Sequence, residues 1–234
     1  MGIITSEGLA QEYRVLKQLC TVHNTRLQTR GVTPERLTSY SDSVAAMESQ
    51  RAVLEEADSA KKQLTQQEET QRNTLTEHIR IIQKGVKNVF ADGSPQRSEF
   101  HIGDKLNSST AHVLGWTKDI GAGWEKYKDV LISGGLLQTD IDAMQTTADA
   151  LTETDTAQEV AKKKTTPEAT AALHTAIETV RKAADALHGI AAVEFKKEPA
   201  LANQFEQAKK LRFEQSSKGG NGETPPPATP APKP

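Results

Sequence analysis

The feature that most constrains this chain is what its first half leaves out. From Glu35 to Lys84 there is neither glycine nor proline, the two residues that most readily bend or end a helix. Along that run Leu37, Tyr40, Val44, Met47, Arg51 and Leu54 alternate by threes and fours. After a polar stretch, Thr65 to Thr74, the pattern resumes at Leu75, Ile79, Ile82, Val86 and Val89. Such spacing lines one helical face. Two arrangements satisfy it. One is a single helix of roughly 55 residues, about 80 Å long at 1.5 Å per residue. The other is a helical hairpin turning between Ala57 and Thr70. The hairpin is the preferred expectation, because a lone helix leaves its polar middle without partners.

The rest of the chain also reads as helix. Ser6 can cap a helix over residues 5–29, with Leu9, Tyr13, Leu16, Cys20, His23 and Leu27 on one face and Gly31 just past its end. Thr33-Pro34 is a cap followed by proline at the first helical position. Asp92-Gly93-Ser94-Pro95 is a break, and Phe100 to Asn107 is loop. Ser108 or Ser109 then caps a helix bearing Val113, Trp116, Ile120, Trp124, Tyr127 and Leu131, closed by Gly134-Gly135. Thr139 or Asp140 begins another through Ile141, Met144, Ala148 and Leu151. Thr165-Thr166-Pro167-Glu168 reads as a fresh start, leading into Leu173, Ile177, Val180, Ala184, Leu187, Ala191 and Phe195. Pro199 ends that helix, and residues 201–213 add a short one. The expected fold is all-α, an antiparallel helical bundle.

The halves also align with each other. At a shift of about 104 positions Leu9 meets Val113, Leu16 meets Ile120, Leu27 meets Leu131, Gly31 meets Gly135 and Leu37 meets Ile141. With one extra residue in the second half, Leu75 meets Val180, Ile82 meets Leu187, Val86 meets Ala191, Phe90 meets Phe195 and Phe100 meets Phe205. Helical periodicity produces some of these matches, but not the coincident glycines or the paired phenylalanines. The expectation is two three-helix repeats, 1–107 and 108–215. Residues 216–234 carry glycine, proline, threonine and alanine without a large apolar side chain, the composition of a disordered tail.

The stretch Gly85-Val86-Lys87-Asn88-Val89-Phe90-Ala91-Asp92-Gly93-Ser94-Pro95, followed by Glu99-Phe100 and Gly103, resembles an element that recurs in uncharacterised bacterial helical proteins. There a helix ends in an aromatic residue, then Gly-x-Ser-Pro, then an aromatic and a glycine. Gly31-Val32-Thr33-Pro34 is similar to their second-helix start. The second half departs from the pattern, with Glu198-Pro199 in place of Gly-Ser-Pro and no glycine after Phe205. The resemblance implies a duplicated helical bundle and brings no established activity.

Composition narrows the function classes. Charged residues make up 26% of the chain at a net charge of −2, with bases interleaved among acids; nucleic-acid binders carry a basic face instead. No segment approaches the ~20 consecutive apolar residues of a membrane span. No signal-peptide core precedes Gln11, and a lone cysteine, Cys20, forms no internal disulfide, so the expected location is cytoplasmic.

The candidate sites are few. No Glu-x-x-His pair occurs, so a di-iron carboxylate bundle is not expected. His174 and Glu178 alone supply only two ligands, and His23 falls on the core face opposite Tyr127 in the alignment. Cys20 sits on an apolar stripe, which opposes a reactive thiolate. Gly115, Gly121 and Gly123 admit either a closely packed neighbour or a gap where a flat ligand stacks beside Trp116, Trp124 and Tyr127. Lys162-Lys163-Lys164 reads as a basic helix end. The expectation is a non-enzymatic helical interaction or structural protein with a protein partner or self-association, and without cofactor or metal. The alternative is a small-ligand or metal-binding module on the Trp116, Trp124, Tyr127 face.

Overall fold

The computed structural model describes residues 4–214. All the regular structure in them is helical: α1 (Ser6–Val22), α2 (Asn24–Gln28), α3 (Pro34–Val89), α4 (Pro95–Glu99), α5 (Thr110–Ser133), α6 (Gln138–Val160), a π-helical turn (Ala161–Thr165), α7 (Thr166–Glu194) and α8 (Pro199–Glu214). The stretch from 216 on, expected to be a disordered tail, lies outside the described residues. No helix among the described residues is long and apolar enough to cross a membrane.

Local chemistry sets most of these boundaries. Thr5, one residue before the expected cap, accepts the Gly8 N–H on its side-chain oxygen at 3.0 Å. The expected first helix is interrupted once, at His23, between α1 and α2. Gly31 takes a left-handed φ of 87°; its N–H donates to the Gln28 carbonyl at 3.0 Å, and that of Val32 to Leu27 at 3.1 Å. Gly135 does the same with φ 96°, Ile132 at 3.0 Å and Leu131 at 3.1 Å serving as acceptors. Thr33 caps α3 through the Arg36 N–H. Asp140 accepts the Leu137 N–H at 3.0 Å, which starts α6 slightly ahead of the expected Thr139.

Two expectations are corrected. Residues 34–89 form one uninterrupted helix, not a hairpin. Its polar middle has polar partners: Gln158 donates to Thr65 at 3.0 Å and Thr110 to Glu68 at 2.6 Å. Nor does Pro167 open a separate helix, because the path from α6 through the π-turn into α7 stays helical.

The chain divides into two compact units. The first joins residues up to Leu54 with those from Ala169 onward, and the second is Glu55–Glu168. In the first, Leu9, Leu16 and Cys20 of α1 pack with Tyr40, Val44 and Met47 of α3, with Val180, Ala184 and Leu187 of α7, and with Phe195 and Phe205. In the second, Leu75, Ile79, Ile82 and Val86 of α3 pack with Val113, Trp116, Ile120 and Trp124 of α5, Met144 and Leu151 of α6, and Phe100. Within the first unit α1 lies against α8. Gly8 permits this approach, since a Cβ there would fall 2.6 Å from the Arg212 carbonyl oxygen.

Gly8→Ala should therefore destabilise the protein by about 1–3 kcal/mol, the usual cost of overpacking. Gly115→Ala, where a Cβ meets open space within a helix, should stabilise it by about 0.5–1 kcal/mol. Urea denaturation of the two variants checks both signs.

Candidate functional site

Two clusters combine polar chemistry with defined geometry. The first lies inside the first unit and is not among the sites expected from the sequence. Glu12 of α1 is 0% exposed, and its partners His188 of α7 and Arg212 of α8 are 4% and 2% exposed. The Glu12 carboxylate accepts from His188 Nε2 at 2.6 Å, from Arg212 Nε at 2.8 Å and from Arg212 Nη2. Arg212 Nη1 also donates to Asp185 at 2.7 Å. Burial pulls the guanidinium down, but the hydrogen bonds to Glu12 and Asp185 outweigh it and hold Arg212 above its ordinary pKa. His188 Nδ1 and the Tyr40 hydroxyl are buried in the same unit without hydrogen-bond partners. Burial and the nearby Glu12 charge both push the Tyr40 hydroxyl upward.

A signal for this cluster exists in the sequence. Glu12 lies three residues after Leu9 and four before Leu16, within the apolar stripe, and His188 lies four after Ala184. Charged groups at such positions are buried and paired. Their partners, some 200 residues away in the chain, have no local signature.

The second cluster surrounds the residues expected to bind a ligand. Trp116, Trp124 and Tyr127 all lie on α5. Trp124 is fully buried and Trp116 nearly so, both within the core of the second unit. Tyr127 packs edge-on against Phe90, with centroids 5.3 Å apart, and donates to Glu99 Oε1 at 2.9 Å. The space beside Gly123 holds the Phe100 ring, whose Cζ would lie 2.8 Å from an added Cβ. Gly115 and Gly121 face open space, so neither serves a close helix approach. A flat group does stack on Trp116, and it is the imidazole of His101, parallel at 4.5 Å.

The sequence places His101 only in a loop. It has a left-handed φ of 55°, uncommon for a residue with a side chain. Its ring is held from both edges, Nδ1 facing Asp104 at 3.2 Å and Nε2 facing Asp119 at 2.9 Å. Beside it Glu99 receives hydrogen bonds from Lys126 and Tyr127, which hold its carboxyl below the usual range. A groove of about 340 Å³ runs along this cluster, walled by Ser98, Glu99, His101, Asp119, Ala122 and Lys126. The three expected residues are not among its walls.

A larger groove, about 480 Å³, lies between α1 and α8 of the first unit. Val15, Leu19, Ala208 and Leu211 supply its apolar surface, with Gln18, Asn203, Gln204 and Gln207 around them. No charged side chain lines it, and neither Glu12, His188 nor Arg212 opens into it. Among the described residues no group of three or more His, Cys, Asp or Glu is placed to hold a metal ion. The Lys162–Lys164 run lies in the π-turn, where Lys163 pairs with Glu159 at 2.5 Å.

Compared with known proteins, the chain matches no family model, no curated protein and no solved structure.

Arg212→Met would strand the Glu12 carboxylate in the core, and a loss of about 3–5 kcal/mol is expected from breaking one side of such a pair. Adding Glu12→Gln should recover part of it, which a double-mutant cycle measures. Cys20 gives a pH prediction. Burial pushes its thiol from 9.0 up to about 11, so the folded state holds the proton more tightly than the unfolded chain. That stabilisation is intact below pH 9 and is lost as pH rises through about 11. Cys20→Ser should flatten this alkaline decline, and native Cys20 should resist a thiol reagent until the protein is unfolded.

Proposed function

We propose that the chain is a non-enzymatic helical interaction protein, built from repeats 1–107 and 108–215, that presents a helix face to a protein partner, itself included. The observation that carries this is the groove between α1 and α8. It combines an apolar floor with an uncharged amide rim in a chain where 26% of residues are charged. A patch depleted of charge and rimmed by amides suits the apolar side chains of another polypeptide. Val22, 69% exposed at the end of α1, and Phe213 near the end of α8 add apolar surface on the same two helices.

The chemistry of the buried groups supports the non-enzymatic part. Glu12 already accepts from both Arg212 and His188, so it has no free role as a base. Burial raises the Cys20 thiol away from the thiolate form that nucleophilic catalysis requires. A free, buried cysteine also suits the cytoplasm.

The duplication is supported by the two glycine caps, which share the same pair of hydrogen bonds at the same distances. The alternative, a small-ligand module at Trp116, Trp124 and Tyr127, has less to rest on, since His101 stacks on Trp116, Phe100 fills the space at Gly123 and Trp124 is buried in the core.

Native mass spectrometry of the full-length protein, purified without added metal, tests the reading. The expected masses are the bare chain, integer multiples of it, or the chain with another polypeptide. A multimer should revert to monomer on Leu19→Lys. A defined non-protein increment on the bare chain would overturn the reading in favour of a ligand-binding module.

A further inference from the structure

We infer that the two halves of the chain are paired as the exchanged partners of an intertwined dimer, so that the surface each half presents is completed by the other half and not by itself. This rests on the duplication proposed above. Its first ground is the make-up of the compact units. Each contains the leading part of one half and the trailing part of the other: residues up to 54 with those from 169 onward, and 55–107 with 108–168.

The second ground is that these hybrids match in detail. Every buried residue of the first core has a counterpart packed in the second, at an offset of 104 before the middle of the long helices and 105 after it. The matches include pairs the sequence alignment had no need of: Cys20 with Trp124, Tyr40 with Met144, Met47 with Leu151. The aromatic clusters are sharper still. His23 meets Phe195 at 5.2 Å and 63°, and Phe205 at 6.4 Å and 47°. Tyr127 meets Phe90 at 5.3 Å and 67°, and Phe100 at 6.4 Å and 44°. In each case the first ring comes from one half and the other two come from the opposite half. A self-contained repeat would put position 23 against Phe90 and Phe100.

The third ground is the π-turn. The helical path Gln138–Glu194 is one residue longer than α3. The offset changes from 104 to 105 between Met47 and Leu75, and the turn Ala161–Thr165 falls in the matching interval of the second half. A π-turn takes in one more residue than an α-turn. It therefore absorbs the extra residue without rotating Val180, Ala184, Leu187 and Ala191 away from their core. Even the grooves correspond, with Val15 and Gln18 of one aligned to Asp119 and Ala122 of the other.

Two experiments on the full chain test this separately. A protease site is inserted between Asn107 and Ser108, both exposed, and the purified protein is cut. The two fragments should co-elute with the helicity of the uncut protein and part only in denaturant. Their separation under native conditions would overturn the exchange while leaving the duplication standing. Next, Lys163 is deleted from the π-turn and, in a second variant, Lys62 is deleted from α3. Loss of Lys163 should convert the π-turn to α-helix and preserve a cooperative unfolding transition near that of the parent. Loss of Lys62 should abolish that transition, because α3 holds no spare residue. If both deletions unfold the protein alike, the π-turn does not hold the extra residue, and the register on which the paired halves rest is overturned.

Discussion

Helical phase is the constraint on which this structure depends. An unbroken helix advances about 100° per residue, so two apolar stripes on one helix are locked in relative direction by the residues between them. On α3 Met47 and Leu75 stand 28 positions apart, each facing a core of its own. On the path from α6 to α7 the residues aligned with them under the proposed duplication, Leu151 and Val180, stand 29 apart. Without a local change of pitch that surplus would turn one stripe by about a quarter of a revolution. A π-turn costs hydrogen-bond geometry over a few residues; misdirecting a core would cost several buried side chains at about 1.5–3 kcal/mol each. The magnitudes favour the local defect.

Under the proposed duplication, one aligned position is stabilised in two different ways. By the alignment Glu12 corresponds to Trp116. In the first unit that place holds a carboxylate neutralised by Arg212 and hydrogen-bonded to His188; in the second it holds an indole stacked on His101. A buried ion pair often adds little net stability against a well-packed apolar group, but it demands one geometry. Glu12, Arg212 and His188 draw on three helices, α1, α8 and α7, so the pair fixes how all three meet. Gly8, whose missing side chain lets α8 approach, sits one helical turn away from Glu12 on the same stripe. Close approach and charge pairing thus reinforce each other at one crossing.

Much of this architecture was legible in the sequence, and the failures have physical causes. Leu9, Leu16, Cys20 and Leu27 are buried as their spacing requires, and Thr33-Pro34 starts α3 where a cap and an N1 proline should. The hairpin expectation failed because Thr65 to Thr74 looked like a helix without partners. Gln158 and Thr110 supply polar ones from segments far away in the chain, which periodicity cannot reveal. Pro167 misled for a related reason. A proline lacks an N–H and normally clashes with the carbonyl four residues back, yet here it follows a turn whose hydrogen bonds reach five back, as in Thr166 to Ala161. At the candidate sites, Trp116 and Trp124 were visible as residues but not as filled space, because Phe100 and His101 belong to a loop whose path the sequence left open.

Where polar groups end in this fold bears on what the molecule can do. Ionisable groups that act on a substrate commonly open to a cavity and have a shifted pKa. The Cys20 thiol is shifted by burial but faces inward, and Glu12 is buried and already paired, while Glu99 and Lys126 border a groove but are already joined to each other. The groove between α1 and α8 has the opposite character, with apolar and amide surface and no charge to match. Exposed surface of that kind gains free energy chiefly when another apolar surface displaces its water. The ion pair that fixes the α1–α8 crossing from within therefore also holds the walls of the groove in place outside.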